Sequence, residues 1–270
     1  MHLTIFDVEH GQCALLTADN GQRLMIDCGH NATTGWRPGD YLAAQGIKRL
    51  EYLAVTNYDE DHVSGLQNLL YRVTVQTLLY NPSVSGQQLL SLKSDTGAGP
   101  GIKTLSSMLS SVSPATSAPA MPGVDVSRYW NVYPHFQDEN NLSMVVCLGL
   151  NGTGFIFPGD LECAGWNTLL AGQASFSQKA KAANVLVASH HGRENGICPE
   201  LFDAHGCNPE IVVISDDYHQ YDTQKTTAYY GSKCKGISGF RTEQGLRRVL
   251  TTRRDGKITF SFNNGRCFVT

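Results

Sequence analysis

Three short apolar runs each stop abruptly on a cluster of Asp, Asn or His. LEYLAVT at 50–56 gives way to Asn57, Asp59, Asp61 and His62, FIFPG at 155–159 to Asp160, and NVLVAS at 184–189 to His190 and His191. Runs this short and this continuous, bounded by turn residues, fit strands buried on both faces. A strand buried on both faces needs packing partners on each side, so the chain has to fold in layers. Each run would then deliver its polar cluster to the loop that follows it.

The remaining sequence supplies those layers. HLTIFDV, CALLTA and RLMIDCG, separated by Gly and Asn turns such as DNG at 19–21, read as an antiparallel meander. A helix is expected after Pro38, over GDYLAAQGIKR. Another is expected over DHVSGLQNLLYR, where Val63, Leu66, Leu69 and Leu70 share a helical spacing. The acidic cluster at 57–62 therefore sits at a strand–loop–helix junction. VQTLLYN, VSRYWNVY, LSMVVCLGL and EIVVISDD add strands, LECAGWNTLLAG and PELFDAHG add helices, and the C-terminal segment reads as hairpins around RRDGK. Residues 93–124, rich in Ser, Gly, Pro, Ala and Thr, read as a flexible insertion with a short helix at IKTLSSML. A single domain over 1–270 is expected, with two sheets faced by helices.

Composition narrows the function classes. With 270 residues and 41% hydrophobic content the chain can bury a large core. No apolar stretch approaches a membrane span. The N-terminal MHLTIFDVEHGQ lacks a basic n-region and an apolar h-region, so no signal peptide is expected. The eight cysteines are scattered without a C-x-x-C pair, which fits reduced thiols and a cytoplasmic location. Charge is uneven: residues 233–270 carry 9 basic and 2 acidic side chains, on a chain of net charge −3. That basic end fits either a phosphate-binding surface or a solvated pair of strands.

Ligands bind at strand ends and the loops beyond them in layered α/β proteins. Asp and His from separate loops supply the hard oxygens and imidazole nitrogens that divalent cations take, and one carboxylate can bridge two ions. Each cluster alone has a plainer reading, as a helix cap, a turn or a surface pair. All three, in this order and each after an apolar strand, point to one site.

On these motifs the chain resembles the metallo-β-lactamase fold superfamily, in the branch related to the C-terminal domain of the DNA-uptake protein ComEC. FDVEHGQCALLTADNGQRLMIDCG is similar to that branch's opening meander, and VTNYDEDHVSGL to its His- and Asp-rich motif. DENNLSMVV resembles its Asn-x-x-Ser-x-Val strand, FIFPGDLE its Gly-Asp segment and VASHHGRENG its His-His-Gly segment. VVISDDYHQYDTQ resembles its Ile-Ser segment, and RTEQGLRRVLTTRRDGKITF its closing strands. The resemblance implies an α/β fold, a four-layered αβ/βα sandwich, with the site along one edge of the sheets.

It also implies metal ligation by Asp61, His62, Asp160 and either His190 or His191, with Asp27 holding the acidic loop from below. This sequence departs from the family at Asn57, where the family has histidine, at Asp59, and near Asn140 or Asn141, where many members carry another histidine. All three departures fall on one metal position. Asp59, a shared Asp160 and amide oxygens of Asn57 and Asn140 remain for it, an oxygen-rich set that suits Mn²⁺ or Mg²⁺ better than Zn²⁺. One or two divalent ions are expected, with Zn or Mn foremost.

The implied reaction is metal-dependent hydrolysis, because a bound cation makes hydroxide available near neutral pH. Asp59 and Asp61 are the candidate catalytic carboxylates, and Asp59 would orient the attacking water. His30, Arg193 and His219 are candidate donors to substrate. The resemblance favours a phosphodiester, either DNA or a small nucleotide, so a phosphodiesterase or nuclease with a nucleic-acid or nucleotide partner is expected. The competing expectation is a catalytically degenerate binding or scaffold protein with a protein partner, such as a component of a bacterial defence or mobile-element system.

Overall fold

The computed structural model describes residues 1–111, 120–218, 222–263 and 265–270. In the first sheet, β1 (His2–Ile5), β2 (Ala14–Thr17) and β3 (Arg23–Ile26) form the expected antiparallel meander. β4 (Arg49–Ala54) and β5 (Thr74–Leu79) extend it in parallel. In the second sheet, β6 (Val124–Trp130), β7 (Met144–Leu150) and β8 (Thr153–Phe157) are antiparallel, and β9 (Val185–Val187) and β10 (Ile211–Ile214) run parallel beyond them. A small ladder joins β11 (Ile237–Ser238) to β12 (Leu246–Arg247). β13 (Val249–Thr251) then closes the second sheet beside β10, while β14 (Ile258–Asn263) and β15 (Arg266–Val269) return to the first sheet, β14 pairing with β1.

Side-chain alternation turns two sheets into four layers. Leu24 and Ile26 of β3 face the same core as Val146 and Leu148 of β7, between the sheets. Their neighbours Met25, Val145 and Cys147 point the other way, into helices. On the first sheet those helices are α1 (Pro38–Ala44), α2 (Glu60–Val63), α3 (Leu66–Arg72), α4 (Gly86–Leu92) and α5 (Pro100–Ser111). On the second they are α6 (Cys163–Gly172), α7 (Ala174–Lys181), α8 (Pro199–Asp203) and α9 (Thr227–Ser232). The result is the αβ/βα sandwich, and the parallel strands are buried on both faces as their continuous apolar character requires.

Three expectations are corrected. The helix over 61–72 is two helices, because Gly65 lies against the Cys28 carbonyl and the Pro38 ring, where its N–H bonds Cys28 O at 2.8 Å. RRDGK is not a hairpin turn: it forms a short helix, α10 (Thr252–Asp255), and the turn after it, carrying the chain from one sheet to the other. Residues 93–111 are not a loose insertion. α5 is longer than IKTLSSML and buries Ile102, Leu105 and Leu109 against α4 and the first sheet, an amphipathic pattern hidden by its serines. Residues 112–119 of the same segment lie outside the described residues.

The central core is tightly cross-braced by aromatic rings. Phe155 of β8, 1% exposed, meets Phe260 of β14 edge-on at 5.1 Å between centroids, which locks one sheet against the other. Phe155→Ala should therefore lower unfolding stability by about 3–5 kcal/mol. Urea denaturation checks this; a loss below about 1 kcal/mol would mean the sheets do not pack through this contact.

Candidate metal centre

The loops after β3, β4, β8, β9 and β10 end at the same edge of the two sheets. Asp27, directly after β3, is fully buried and holds a left-handed backbone (φ 55°). Its carboxylate accepts hydrogen bonds from the Thr56 N–H at 2.7 Å, from the Thr56 hydroxyl, and from His62 Nδ1 at 2.9 Å. The Nδ1 proton of His62 is thereby fixed, and Nε2 turns toward the sheet edge. On the far side, His190 and His191 are consecutive left-handed residues (φ 51° and 52°), a conformation rare for non-glycine residues. The His190 N–H to Gly159 O bond at 3.1 Å and a hydroxyl bond from Ser189 to Leu161 O hold that turn. His191 Nδ1 donates to Ser215 O at 3.0 Å, so its Nε2 also faces inward.

The inward-facing atoms converge. His62 Nε2 lies 3.2 Å from His191 Nε2 and 3.0 Å from Asp160 Oδ1. His191 Nε2 lies 3.5 Å from Asp160 Oδ1 and 3.3 Å from Asp61 Oδ2. Bonds of 2.0–2.1 Å to a tetrahedral ion place its ligand atoms roughly 3.3 Å apart; Asp61, His62 and His191 offer atoms within 4.8 Å of one another, and Asp160 stands beside both imidazoles. With both Nδ1 atoms tied to acceptors, both Nε2 atoms are turned toward the same point, beside two carboxylates. The donor set therefore fits a divalent metal ion.

Buried charges set the protonation. Burial works to lower the His62 pKa, but Asp160 and Asp27 outweigh it and hold the imidazole well above its ordinary value. Burial likewise opposes His191, and Asp160 and Asp61 raise it. Burial pushes the Asp160 carboxyl up, yet His62 and His191 pull it far below the usual carboxylate range. Without metal, protons sit where the cation would sit.

His190 is not part of this group. Its Nε2 stands 3.8 Å from the other Asp160 oxygen and 3.4 Å from Arg193 Nη1, and its Nδ1 has no hydrogen-bond partner among the described residues. Of the two open possibilities, His191 is the one the fold brings to the cluster. His30 bonds the Ser64 hydroxyl at 2.7 Å and lines, with Glu9, His10, Glu60, Asp61 and Asp217, a cleft of about 540 Å³. Arg193 points at His190 rather than into that cleft. His219 lies outside the described residues.

The oxygens expected at the other metal position are already engaged. Asn57 Oδ1 accepts the Asp59 N–H at 2.7 Å, and its Nδ2 donates to Ser143 Oγ at 3.0 Å. Asn140 Oδ1 lies 3.4 Å from Asn57 Nδ2, and Asn140 Nδ2 donates to Glu162 Oε1 at 3.1 Å. Asp59 and Glu139 form ion pairs with Lys93, whose side chain is 3% exposed. Burial opposes the Lys93 charge, but Asp59 and Glu139 raise its pKa.

Sequence reasoning missed Lys93, His10 and the Ser215 carbonyl. Lys93 carries no motif and is placed by tertiary packing alone. Part of the basic tail is ion-paired within the fold: Arg247 to Glu243 and Asp255, Arg253 to Asp216, Lys233 to Asp203 and Lys235 to Glu210. Among the described residues no helix is long and apolar enough to cross a membrane.

Residues 7–82 match the family described as the Metallo-beta-lactamase superfamily. Over that stretch the chain is similar to that superfamily, and the sandwich described above agrees with the likeness. Among curated proteins it is similar to ComE operon protein 3 of Bacillus subtilis (strain 168), 23% identical over 235 residues, which is 83% of this chain. The chain aligns with only 26% of that relative's length. Among solved structures, CmlA, a diiron beta-hydroxylase from Streptomyces venezuelae, aligns over 97% of this chain and 54% of its own, with a TM-score of 0.55 and 12% identity. A diphosphatase from the PhnP family aligns over 97% of this chain and 98% of its own, with a TM-score of 0.48 and 9% identity.

Metal binding here competes with protons, because a ligating imidazole must be neutral. Since His62 and His191 have raised pKa values in the metal-free protein, apparent Zn²⁺ affinity should climb as pH rises through and above neutrality. Competition against a chromophoric chelator at pH 6 and pH 8 measures this. Equal affinity at the two pH values would show that these imidazoles are not ligands.

Proposed function

We propose that this chain is a metal-dependent hydrolase of phosphodiester bonds. The observation that carries the reading is the convergence of His62, His191, Asp160 and Asp61 at coordination spacing beside an open cleft. A divalent ion held there would lower the pKa of a bound water and polarise a phosphoryl oxygen. Asp61, whose side chain is 38% exposed, is the ligand that faces the cleft. Asp27 keeps His62 in the tautomer that offers Nε2 and stays off the ion itself.

His10 joins the candidate substrate-binding groups. It lines the cleft, and its Nε2 is buried without a hydrogen-bond partner among the described residues. Burial lowers its pKa, so the ring is neutral at pH 7 and can exchange a hydrogen bond or a proton with a substrate oxygen. His30, held by Ser64, can do the same from the opposite loop.

The charge distribution favours a compact phosphodiester over a long nucleic acid. Carboxylates of Glu9, Glu60 and Asp217 line the cleft, and a polyanion gains most of its sequence-independent affinity from free cations. Several basic side chains of the tail are ion-paired within the fold. The eight cysteines are free thiols, which supports a reducing compartment such as the cytoplasm. A second reading, a partner-binding protein without turnover, is favoured by one observation: Asn57 carries an amide network where the family carries a metal-binding imidazole.

Hydrolysis of bis-p-nitrophenyl phosphate with Mn²⁺ separates the two. Turnover should fall by about 10²-fold or more in Asp61→Ala and in His62→Ala. Asp27→Asn should weaken metal affinity or activity by about 10–100-fold. Unchanged turnover in the first two variants would sink the hydrolase assignment. Cyclic-nucleotide hydrolysis outpacing oligonucleotide cleavage would support the compact substrate.

A further inference from the structure

The two halves of the site are unequal in a way that decides how many ions it takes. On the His62 side, the Nε2 atoms of His62 and His191 and the carboxylates of Asp160 and Asp61 point at one another. On the Asn57 side, the side chains expected at a second cation are engaged with one another and with Lys93. Asn57 Oδ1 takes the Asp59 N–H, and Asn140 lies between the Asn57 amide and Glu162. The two carboxylates there, Asp59 and Glu139, both pair with the Lys93 ammonium.

Lys93 is delivered to this position by built structure. It is the residue that ends α4, with its N–H bonded to Leu89 O at 3.2 Å. Ser85 and Gln88 form a reciprocal cap at the other end of the same helix. α4 packs on α5, and α5 is tied to α2 through the Gly101 and Ile102 N–H groups, which bond the Glu60 carboxylate at 2.8 and 3.1 Å. The helix that carries Asp61 and His62 and the helix that positions Lys93 are thus parts of one packed layer. A buried ammonium between two carboxylates neutralises the charge that would otherwise recruit a cation, and it repels a divalent ion placed beside it.

We propose that the Lys93 ammonium takes the place of a second cation, so that the centre accepts one divalent ion, held by Asp61, His62, Asp160 and His191. This rests on the metal-site reading above and adds the number of ions and the reason for it. Lys93 is a positioning residue: it holds Asp59 in place by charge and does not itself reach the bound ion.

The test is zinc content per chain, measured by mass spectrometry after loading with excess Zn²⁺ and desalting. The wild-type chain should hold one equivalent. Asn57→His should still hold one, because restoring the imidazole leaves the ammonium in place. Asn57→His combined with Lys93→Met should hold two, and Asn57→His combined with Lys93→Arg, which keeps the charge, should return to one. Two equivalents in the wild type or in Asn57→His would overturn the proposal while leaving the hydrolase reading intact. One equivalent in a cooperatively melting Asn57→His/Lys93→Met protein would overturn it as well. No zinc in the wild type would instead remove the metal site itself. If the Lys93→Met variant does not fold, the Asn57→His result decides alone, since it removes no buried charge.

Discussion

The hydrogen bond between Asp27 and His62 is the contact on which the rest of the site depends. It joins the end of the opening meander to the first turn of α2 across 35 residues of chain, entirely out of water. A buried carboxylate is tolerable only when its oxygens are satisfied, and Asp27 is satisfied by two donors from Thr56 and one from His62. With the Nδ1 proton fixed, Nε2 is left to face Asp160 and His191. Gly29 makes the arrangement possible from behind: a Cβ there would collide with the Asp61 carbonyl, so the loop carrying Asp61 can lie flat against the meander.

The same logic, repeated on the other sheet, produces a site with a preset charge. His191 is fixed by a backbone carbonyl as His62 is fixed by a carboxylate, and the strained left-handed turn at 190–191 is held by hydrogen bonds to the neighbouring strand loop. Left-handed geometry costs an L-residue of order 1–2 kcal/mol, and here it lets two adjacent imidazoles point in different directions. One turns into the cluster, and the other turns toward Arg193 and Glu162. Across the site, amides and an ammonium replace the imidazoles of the resembling family. The electrostatics are therefore asymmetric, with an attractive well on one side and a neutralised pocket on the other.

Much of this was legible in the sequence, for identifiable reasons. Continuous apolar runs such as LEYLAVT and NVLVAS fixed the buried strands, because no other short element buries both faces. The clusters after them marked the edge where Asp61, His62, Asp160 and His191 meet. What stayed hidden depends on long-range packing. Nothing local distinguishes His190 from His191, since the choice is made by two backbone torsions and by Ser215 in a distant loop. α5 escaped because it is rich in serines, some of which satisfy their hydroxyls on the helix's own carbonyls, as Ser107 does on Lys103 O and Ser110 on Ser106 O, while its leucines pack inward. RRDGK looked like a turn between strands, but its arginine at 253 anchors Asp216 and the chain crosses between sheets instead.

Anomalous diffraction from crystals soaked in Mn²⁺ tests the central claim most directly. The account predicts a single strong peak within bonding distance of His62 Nε2, His191 Nε2, Asp160 Oδ1 and Asp61 Oδ2, with density for the Lys93 side chain between Asp59 and Glu139. A peak bound elsewhere, or no peak near those four atoms at saturating metal, would contradict it.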